Sequence, residues 1–390
     1  MGQHQMTGPL WQKLRRFCDV GILLTSPQTP VPMSLPPVSG RANPPRAAIL
    51  RYFRWALIVT ALGLALGAFL GWRMTGTLGG TLGVFVICMV LAVLEISLSF
   101  DNAIVNANTL KDMRPEWQRR FLTWGILIAV FGMRVLFPLL IVVIAAQIGP
   151  WQALLMAAGQ PDDYARIMHE SHVPIAAFGG AFLMMVGLSF FFDHGKDVHW
   201  LRWIEARIAR SASIRGIEVA VVLALVLGVG RLVAPEAQQV FTVAAIWGLL
   251  TFLLVEVLGG FLDSTQDSLR TTARGGLGAF LYLEVLDASF SFDGVIGAFA
   301  LTHNLFIIAI GLGIGAMYVR SMTIMLVEQG TLTQYRFLEH GAFYAIIALS
   351  VIMLAQAVVP IPEVITGLLG AGLIGVSLWS SIRWNRRNRG

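Results

Sequence analysis

Six carboxylates stand inside long apolar stretches of this sequence, where a charged side chain is costly. On insertion scales each charge at the centre of a bilayer costs about 2.5–3.5 kcal/mol, and acids at such positions are functional by default. Two arginines, Arg134 and Arg320, lie at comparable depth, and we interpret them as structural counter-ions. Two cations cannot neutralise six acids, so some acids must be protonated, lie near an interface or meet a visiting cation. The six acids are Glu95, Asp101, Glu256, Glu284, Asp287 and Asp293.

Four of these acids belong to two copies of one motif. The string LEISLSFDNAIVNA near residue 100 returns as LDASFSFDGVIGA near residue 290. Glu95 aligns with Asp287 and Asp101 with Asp293, and the serines and the phenylalanine between them coincide. The apolar segment that follows repeats as well, because GILIAVFGMR aligns with GLGIGAMYVR and each string ends on one of the two arginines. Matches that occur twice in the same order indicate an internal duplication.

Helical spacing sorts the polar residues of each copy onto two faces. In the first copy one face carries Glu95, Ser99, Asn102 and Asn106. Asp101 falls on another face, with Ser97 one turn before it. In the second copy Glu284, Asp287 and Ser291 share a face, and Asp293 again lies off it. Such a helix is either central in a bundle or unwound near the aspartate, and Gly294 and Gly297 would tolerate unwinding.

A site built from both copies would offer carboxylate, hydroxyl and amide oxygens. These are hard ligands, which suit Mn²⁺, Mg²⁺ or Ca²⁺. Zinc or copper would be expected to recruit His or Cys, and no tightly bound cofactor is indicated. Glu256 stands apart from the motif and is interpreted as a lone protonated acid or a proton carrier.

The composition places these motifs in a membrane. Of the 390 residues, 56% are hydrophobic and only 13% are charged, against about 25% charged in soluble proteins, and the mean hydropathy is +0.72. An all-α, polytopic membrane protein is therefore expected. About ten apolar segments approach the roughly 20 residues that a spanning helix needs, at 55–72, 82–107, 121–148, 172–192, 216–233, 240–262, 277–301, 304–327, 340–359 and 362–380.

The distribution of basic residues predicts the topology. Lys and Arg collect in the connectors after the even-numbered spans and at the C-terminus, so both termini are expected in the cytoplasm of a bacterium, with the chain in its inner (plasma) membrane. This pattern also explains the net charge of +6 without any nucleic-acid partner. Five spans separate the motif copies, so the copies run in opposite directions, as in the inverted repeats of secondary transporters.

The chain is accordingly divided into a 5+5 arrangement with short tails. Residues 1–50 are expected to be a disordered cytoplasmic tail. Residues 51–235 form the first repeat, and its Trp- and Arg-rich connector at 193–215 is predicted to be a helix on the anionic inner leaflet. Residues 236–382 form the second, inverted repeat, and 383–390 a basic cytoplasmic tail.

The motif pair, the arginine one span later and the string LEHGAFYAI at 338–346 together resemble TerC-type integral membrane proteins of the LysE superfamily, in a branch that is mainly uncharacterised. The resemblance covers about 80–382 and implies efflux of a metal ion, chiefly Mn²⁺. Gly294, where the first copy has Asn102, departs from that pattern and removes one ligand oxygen. Carried over to this chain, the ion-coordinating positions are Glu95, Asp101, Asn102, Asp287 and Asp293.

These observations together predict an exporter of a divalent cation, Mn²⁺ favoured and Ca²⁺ or Mg²⁺ as alternatives, working by exchange with protons. Within the site, Asp101 and Asp293 are expected to be direct ligands, and Glu95 and Asp287 to be ligands or proton carriers. Further oxygens are assigned to Ser99, Asn106, Glu284, Ser291 and Glu256.

Two other functions stay open. One is an exporter of amino acids or other small solutes, as elsewhere in that superfamily. The other is a membrane protein that delivers metal to the secretion machinery without transporting it across the membrane. The expected protein contacts are with the secretion machinery or with further copies of this chain. An enzyme is not predicted, because no nucleophile–base pair, phosphate loop or cofactor fingerprint occurs.

Overall fold

The computed structural model describes residues 46–193, 198–211, 216–266 and 276–388, except for some side chains within those ranges, and every regular element in this part of the chain is a helix. The described residues from Leu50 onward form one compact unit. The predicted tail lies outside the described residues up to residue 45, as do the last two residues of the basic tail.

The helices are, in chain order, α1 Arg46–Thr75, α2 Leu78–Leu98, α3 Phe100–Lys111, α4 Pro115–Leu127, the π-helix π1 Ile128–Leu136, α5 Phe137–Ala146, α6 Pro150–Gly159, α7 Pro161–Glu170, α8 His172–Phe192, α9 Arg202–Ser211, α10 Ile217–Gly230, α11 Pro235–Gln266, α12 Leu277–Ala298, α13 Leu305–Glu328, α14 Thr331–Gln334, α15 Leu338–Gln356 and α16 Glu363–Asn388.

Eight helical stretches in the described part of the chain are long and apolar enough to cross a membrane. The chain is therefore a multi-pass membrane protein, as its composition predicted. The eight stretches correspond to eight of the ten expected spans. The other two, α10 and α12, are also helical, but α10 has only 14 residues and α12 carries Glu284, Asp287 and Asp293.

Three helices form the centre of the bundle. In α8, 83% of the most apolar window is buried within the protein, and α13 and α15 are similarly enclosed, whereas α1 buries 17% of its window. Helix α8 packs against α11 and α15, and α13 packs against α2, α3 and π1. The outer helices present large exposed apolar side chains such as Leu62, Phe69 and Trp124, which is the surface that hydrocarbon solvates.

The second predicted span is broken in the middle of its motif. Helix α2 ends at Leu98, Ser99 has φ −100° and ψ 16°, and α3 begins at Phe100. Ser, Asp and Asn side chains compete for backbone hydrogen bonds and weaken a helix. Here the Ser99 hydroxyl donates to Glu95 Oε1 and the backbone N–H of Asn102 donates to Asp101 Oδ1. Of the two alternatives, the first copy is unwound two residues before Asp101. Helix α12 instead continues through Gly294 and Gly297, the positions where unwinding was expected to be tolerated.

The third predicted span contains a nine-residue π-helix that ends two residues after Arg134. Pro138 lacks the N–H that would bond the carbonyl of Arg134 in an α-helix, and the N–H of Phe137 donates instead to the carbonyl of Gly132, five residues back. The Arg134 guanidinium Nη1 also donates to the carbonyl of Ala129, at 2.8 Å. Such π-turns occur frequently at functional sites.

The predicted amphipathic connector is helical over α9, where buried Glu205 ties it to the bundle. The backbone N–H groups of Trp200 and Leu201 donate to the Glu205 carboxylate, and so does the Tyr344 hydroxyl of α15, at 3.2 Å. The His199 ring lies 3.1 Å from the same carboxylate. The connector is therefore held against α15. It also carries Trp203, whose side chain is exposed.

Candidate functional site

Helices from both motif copies enclose one small polar cavity, which we term the central cavity. Its polar lining residues are Glu95, Asn102, Asn106, Arg134, Glu284, Asp287, Arg320 and Thr323, and the apolar lining includes Phe121, Gly125 and Ala316. The cavity offers about 20 Å³ to a water-sized body, which is room for about one water molecule or one ion. Three members of the predicted face, Glu95, Asn102 and Asn106, thus point into one space, although the helix is broken between them. The fourth member, Ser99, does not line the cavity and donates its hydroxyl proton to Glu95.

Glu95 forms the tightest ion pair of the central cavity. Its Oε1 accepts from Arg134 Nη2 and from the Ser99 hydroxyl, the latter at 3.0 Å. Both partners of the ion pair are buried. This close packing requires Gly315 of α13, because a Cβ there would lie 2.4 Å from the Cβ of Glu95. Arg134 is therefore held as the ion-pair partner of a first-copy acid.

Asp287 of the second copy faces the first copy directly. The Asn102 amide Nδ2 donates to Asp287 Oδ1 at 2.6 Å, and Arg134 Nη1 lies 3.9 Å from Asp287 Oδ2. Arg134 Nη1 also donates to the Ser291 hydroxyl at 3.0 Å. Arg134 is thus shared between the carboxylates of the two copies, and Ser291 acts through the arginine rather than lining the cavity.

Arg320 is held differently from Arg134. Its guanidinium carbon lies 4.0 Å from the centre of the Phe121 ring, a cation–π arrangement. Glu284 Oε1 and Arg320 Nη2 both lie within 3.0 Å of the point that a Cβ on Gly125 would occupy. Glycine at position 125 therefore leaves the space in which this acid and this arginine approach each other.

Several buried polar atoms of the central cavity have no hydrogen-bond partner. The unpartnered acceptors are Asn102 Oδ1, Asn106 Oδ1, Glu284 Oε1 and Asp287 Oδ2. The unpartnered donors are Arg134 Nε, Arg320 Nε and Arg320 Nη2. Most buried polar atoms in folded proteins are hydrogen-bonded, so these oxygens and nitrogens leave unused hydrogen-bonding capacity in the lining of the central cavity.

The carboxylates do not form a preassembled metal cage. Within the part of the chain that the structure describes, no three side chains of the types His, Cys, Asp and Glu are grouped to hold a metal ion. Arg134 lies between Glu95 and Asp287. A metal in the central cavity would therefore need the asparagine oxygens, a shift of an arginine, or both.

Asp101, which was expected to be a direct ligand, lies outside the central cavity. Its side chain lines a second cavity together with Ser97, Phe290, Thr366 and Gly370. The helical spacing had placed Asp101 and Ser97 on a face of their own, and the structure agrees with that part of the prediction. The two faces of the broken helix thus open into two different cavities.

One further predicted residue, Glu256, does not join the central cavity either. Glu256 is exposed on α11, in a lateral cleft with Tyr282, and its role stays a prediction. Asp293 belongs to α12, but its side chain lies outside the described residues.

Sequence reasoning missed Phe121, Gly125, Gly315, Thr323 and Thr366. The two glycines carried a signal, because Gly125 and Gly311 align in the duplicated strings and Gly311 and Gly315 form a small-xxx-small pair, which permits close helix packing. Phe121 and the threonines carried none, because their roles depend on helices far away in the sequence.

Comparison with known proteins gives one match. A family model described as a protein of unknown function (DUF475) matches residues 100–388. No curated protein and no solved structure matches the chain. The matched region contains both intramembrane arginines, the second motif copy and all of the first copy from Phe100 onward. Since the match covers most of its length, this chain belongs to the DUF475 family.

Proposed function

We propose that the protein is a membrane transporter that exports a divalent cation through the central cavity, with Mn²⁺ as the favoured ion. One observation carries the proposal: four buried oxygens without hydrogen-bond donors, contributed by both motif copies, line a single cavity. Carboxylate and amide oxygens are the ligands that Mn²⁺, Mg²⁺ and Ca²⁺ prefer. The choice of Mn²⁺ and the outward direction rest on the resemblance to TerC-type proteins, which stays a prediction.

Charge in the cavity suggests what must move when the ion enters. If all are ionised, Glu95, Glu284 and Asp287 supply three negative charges, and Arg134 and Arg320 supply two positive charges. A divalent ion added to this set leaves one excess positive charge, which is costly in a low-dielectric interior. Departure of one arginine restores neutrality. Arg320 is the candidate to leave, because it makes no ion pair within 4.0 Å among the described residues, whereas Arg134 is held by Glu95 and Ser291.

Contacts between the copies support the proposed inverted repeat of two five-span halves. Asn102 aligns with Gly294 and Glu95 with Asp287. Asn102 touches Asp287, and a Cβ on Gly294 would lie 3.1 Å from Glu95 Oε2, so each contact is the counterpart of the other after the copies are exchanged. Helix pairs follow the same rule, since α2 packs on α13 and α12 packs on π1. Transporters built this way place their substrate near the midplane, between the repeats.

Proton exchange at the same acids would couple transport to the proton gradient. Metal ligands must be deprotonated to bind, so protonation releases the ion and deprotonation rebinds it. We place the protein in the bacterial inner membrane with both termini in the cytoplasm, as the basic connectors predict.

An amino-acid exporter is a second candidate, favoured by the unpartnered donors of Arg134 and Arg320. A zwitterion would give its carboxylate to an arginine and its ammonium group to the acids. The size of the central cavity in this conformation argues for an ion instead, since about one water-sized body fits.

The test is flux of Mn²⁺ into proteoliposomes that contain the purified protein, with lysine as the competing substrate. Glu284→Gln keeps the shape of the side chain but removes a carboxylate of the central cavity. We expect it to weaken the apparent Mn²⁺ affinity by about tenfold or more, the size seen when metal sites lose a supporting group. The matched control is Glu116→Gln, the same change on an exposed residue in the first turn of α4, which should transport like the parent.

Three results would count against this function. Equal Mn²⁺ flux in Glu284→Gln and the parent would show that the transported ion does not bind in the central cavity. Flux of lysine without flux of Mn²⁺ would establish the second candidate. Mn²⁺ binding in detergent without any flux would support the role of a partner that hands metal to the secretion machinery.

A further inference from the structure

The second cavity, which we term the Asp101 cavity, lies on the opposite face of the broken helix from the central cavity. It is enclosed by α2, α3, α12, α15 and α16, and its polar side chains are Ser97, Asp101 and Thr366. It offers about 20 Å³ to a water-sized body. Like the central cavity, it is therefore of the size of one ion or one water.

Asp101 is a buried acid without a cationic partner. The residue is 5% exposed, and its Oδ1 accepts a hydrogen bond from the backbone N–H of Asn102, at 2.8 Å. No lysine, arginine or histidine of the described chain lies within ion-pair distance of it. This contrasts with Glu95 and Asp287, which share Arg134. A buried carboxylate that lacks a counter-ion pays a large desolvation cost unless a cation or a proton joins it.

A second unpartnered oxygen lines the same cavity from the other side. Thr366 of α16 is 7% exposed and its hydroxyl has no hydrogen-bond partner. Ser97 donates its hydroxyl proton to the Val93 carbonyl at 2.8 Å, so its oxygen retains acceptor capacity. Helix α16 also approaches the acid at Gly370, where a Cβ would lie 3.9 Å from Asp101 Oδ2. Oxygens from two sides therefore face one small space.

The break at Ser99 places the carboxyl end of α2 and the amino end of α3 beside these side chains, with Asp101 in the first turn of α3. Helix α2 ends at Leu98, which itself lines the Asp101 cavity. The carboxyl end of a helix carries a partial negative charge and carbonyls without intrahelical donors. Ends of broken helices coordinate small cations in membrane transporters.

We propose that the Asp101 cavity is a second cation site, separate from the central cavity, and that it takes a small monovalent ion such as Na⁺. One carboxylate supplies one negative charge, and the remaining ligands are neutral hydroxyl and backbone oxygens, so a single positive charge is balanced. The central cavity, with three carboxylates and Arg134 alone once Arg320 has left, suits a divalent ion instead. The broken helix then carries two sites back to back, with Asp101 serving one and Glu95 and Asn102 the other.

The experiment measures thermal unfolding of the purified full chain in detergent, with NaCl replaced stepwise by choline chloride at constant ionic strength, and with KCl and LiCl as further arms. Na⁺ should raise the unfolding temperature of the parent in a saturable way. Thr366→Val, which keeps the shape and removes the hydroxyl, should weaken the apparent Na⁺ affinity by about tenfold or more. Thr366→Ser, which keeps the hydroxyl, should retain it. Asp101→Asn should abolish the shift.

The proposal fails if Na⁺ and choline give the same unfolding temperature in the parent, which would leave the Asp101 carboxyl to carry a proton. It also fails if the unfolding temperature of Thr366→Val responds to Na⁺ like that of the parent. This variant tests the site even if Asp101→Asn does not fold. Glu284→Gln, which alters only the central cavity, should keep the Na⁺ shift. If the protein proves not to transport Mn²⁺, a Na⁺-dependent unfolding temperature would still support a cation site in the Asp101 cavity. The two proposals can therefore fail separately.

Discussion

At the scale of single residues, Asn102 and Asp287 are the most informative pair. Their side chains meet at 2.6 Å across the two motif copies, and each also carries one oxygen without a hydrogen-bond partner. Asn102 therefore donates to a carboxylate while offering its own carbonyl oxygen to the central cavity. This dual use explains why an amide suits a position beside a second acid.

The variant Asn102→Asp tests whether a cation belongs between these groups. It places two carboxylates at this short distance, and without a cation their repulsion and the lost hydrogen bond should destabilise the protein by about 1–3 kcal/mol. Added Mn²⁺ should then stabilise the variant more than it stabilises the parent. The measurement is the unfolding temperature with and without Mn²⁺, and Asn108→Asp, on the same helix but outside the cavity, is the control. An Mn²⁺ shift no larger than that of the parent would speak against an ion in the central cavity.

At the scale of the helices, α13 approaches α2 at two glycines. A Cβ on Gly311 would lie 2.5 Å from the Cβ of Leu91, and one on Gly315 would lie 2.4 Å from the Cβ of Glu95. Both distances are shorter than packed side chains tolerate, so the helices can meet only where these residues lack a side chain. The approach fixes Glu95 against Arg134.

A pair of alanine substitutions on α13 separates this contact from helix propensity. Gly315→Ala forces α2 and α13 apart and should lower the unfolding temperature and reduce Mn²⁺ flux. At Gly313 a Cβ would meet Val130 at an ordinary 3.4 Å, so Gly313→Ala should be neutral or stabilising, by up to about 1 kcal/mol. Thermal unfolding and flux of both variants provide the comparison. Equal behaviour would show that the close approach does not govern the position of Glu95.

At the scale of the whole molecule, contacts between connectors restrict the topology. Asp162, after the third predicted span, lies 2.7 Å from His303, before α13, and Lys111, after the second span, lies 3.7 Å from Glu339. Each pair must lie on one side of the membrane. An even number of membrane crossings must therefore separate the two partners of each pair. Because α10 and α12 both lie between the partners in each pair, these two helices must either both cross or both fail to cross.

Labelling of Arg231→Cys, in the turn after α10, decides between these arrangements. The parent for this experiment has Cys18 and Cys88 replaced by serine. If both helices cross, a membrane-impermeant maleimide should label Arg231→Cys in intact cells, as it should label Asp162→Cys. Glu339→Cys should react only after permeabilisation. Protection of Arg231→Cys in intact cells, with Asp162→Cys labelled, would contradict the ten-span arrangement.

The sequence by itself determined the membrane class, the duplicated motif and the two faces of the first copy. These properties are local, because apolar length and the 3.6-residue period of a helix can be counted along the chain. The period placed Glu95, Asn102 and Asn106 together and set Asp101 apart, as the structure has them.

Only the tertiary structure decided which cavity each face meets. Glu95 pairs with Arg134, and Arg320 lies over the ring of Phe121. Asp101 faces the α16 residues around Thr366. These partners come from other helices, distant in the sequence. Helix packing selects such partners through the shape of the helix surfaces and through close approach at glycines. Neither can be predicted from the local residue pattern of one helix. For that reason the sequence predicted one site for the acids, whereas the fold places Glu95, Glu284 and Asp287 in the central cavity, Asp101 in a second cavity and Glu256 in a separate cleft.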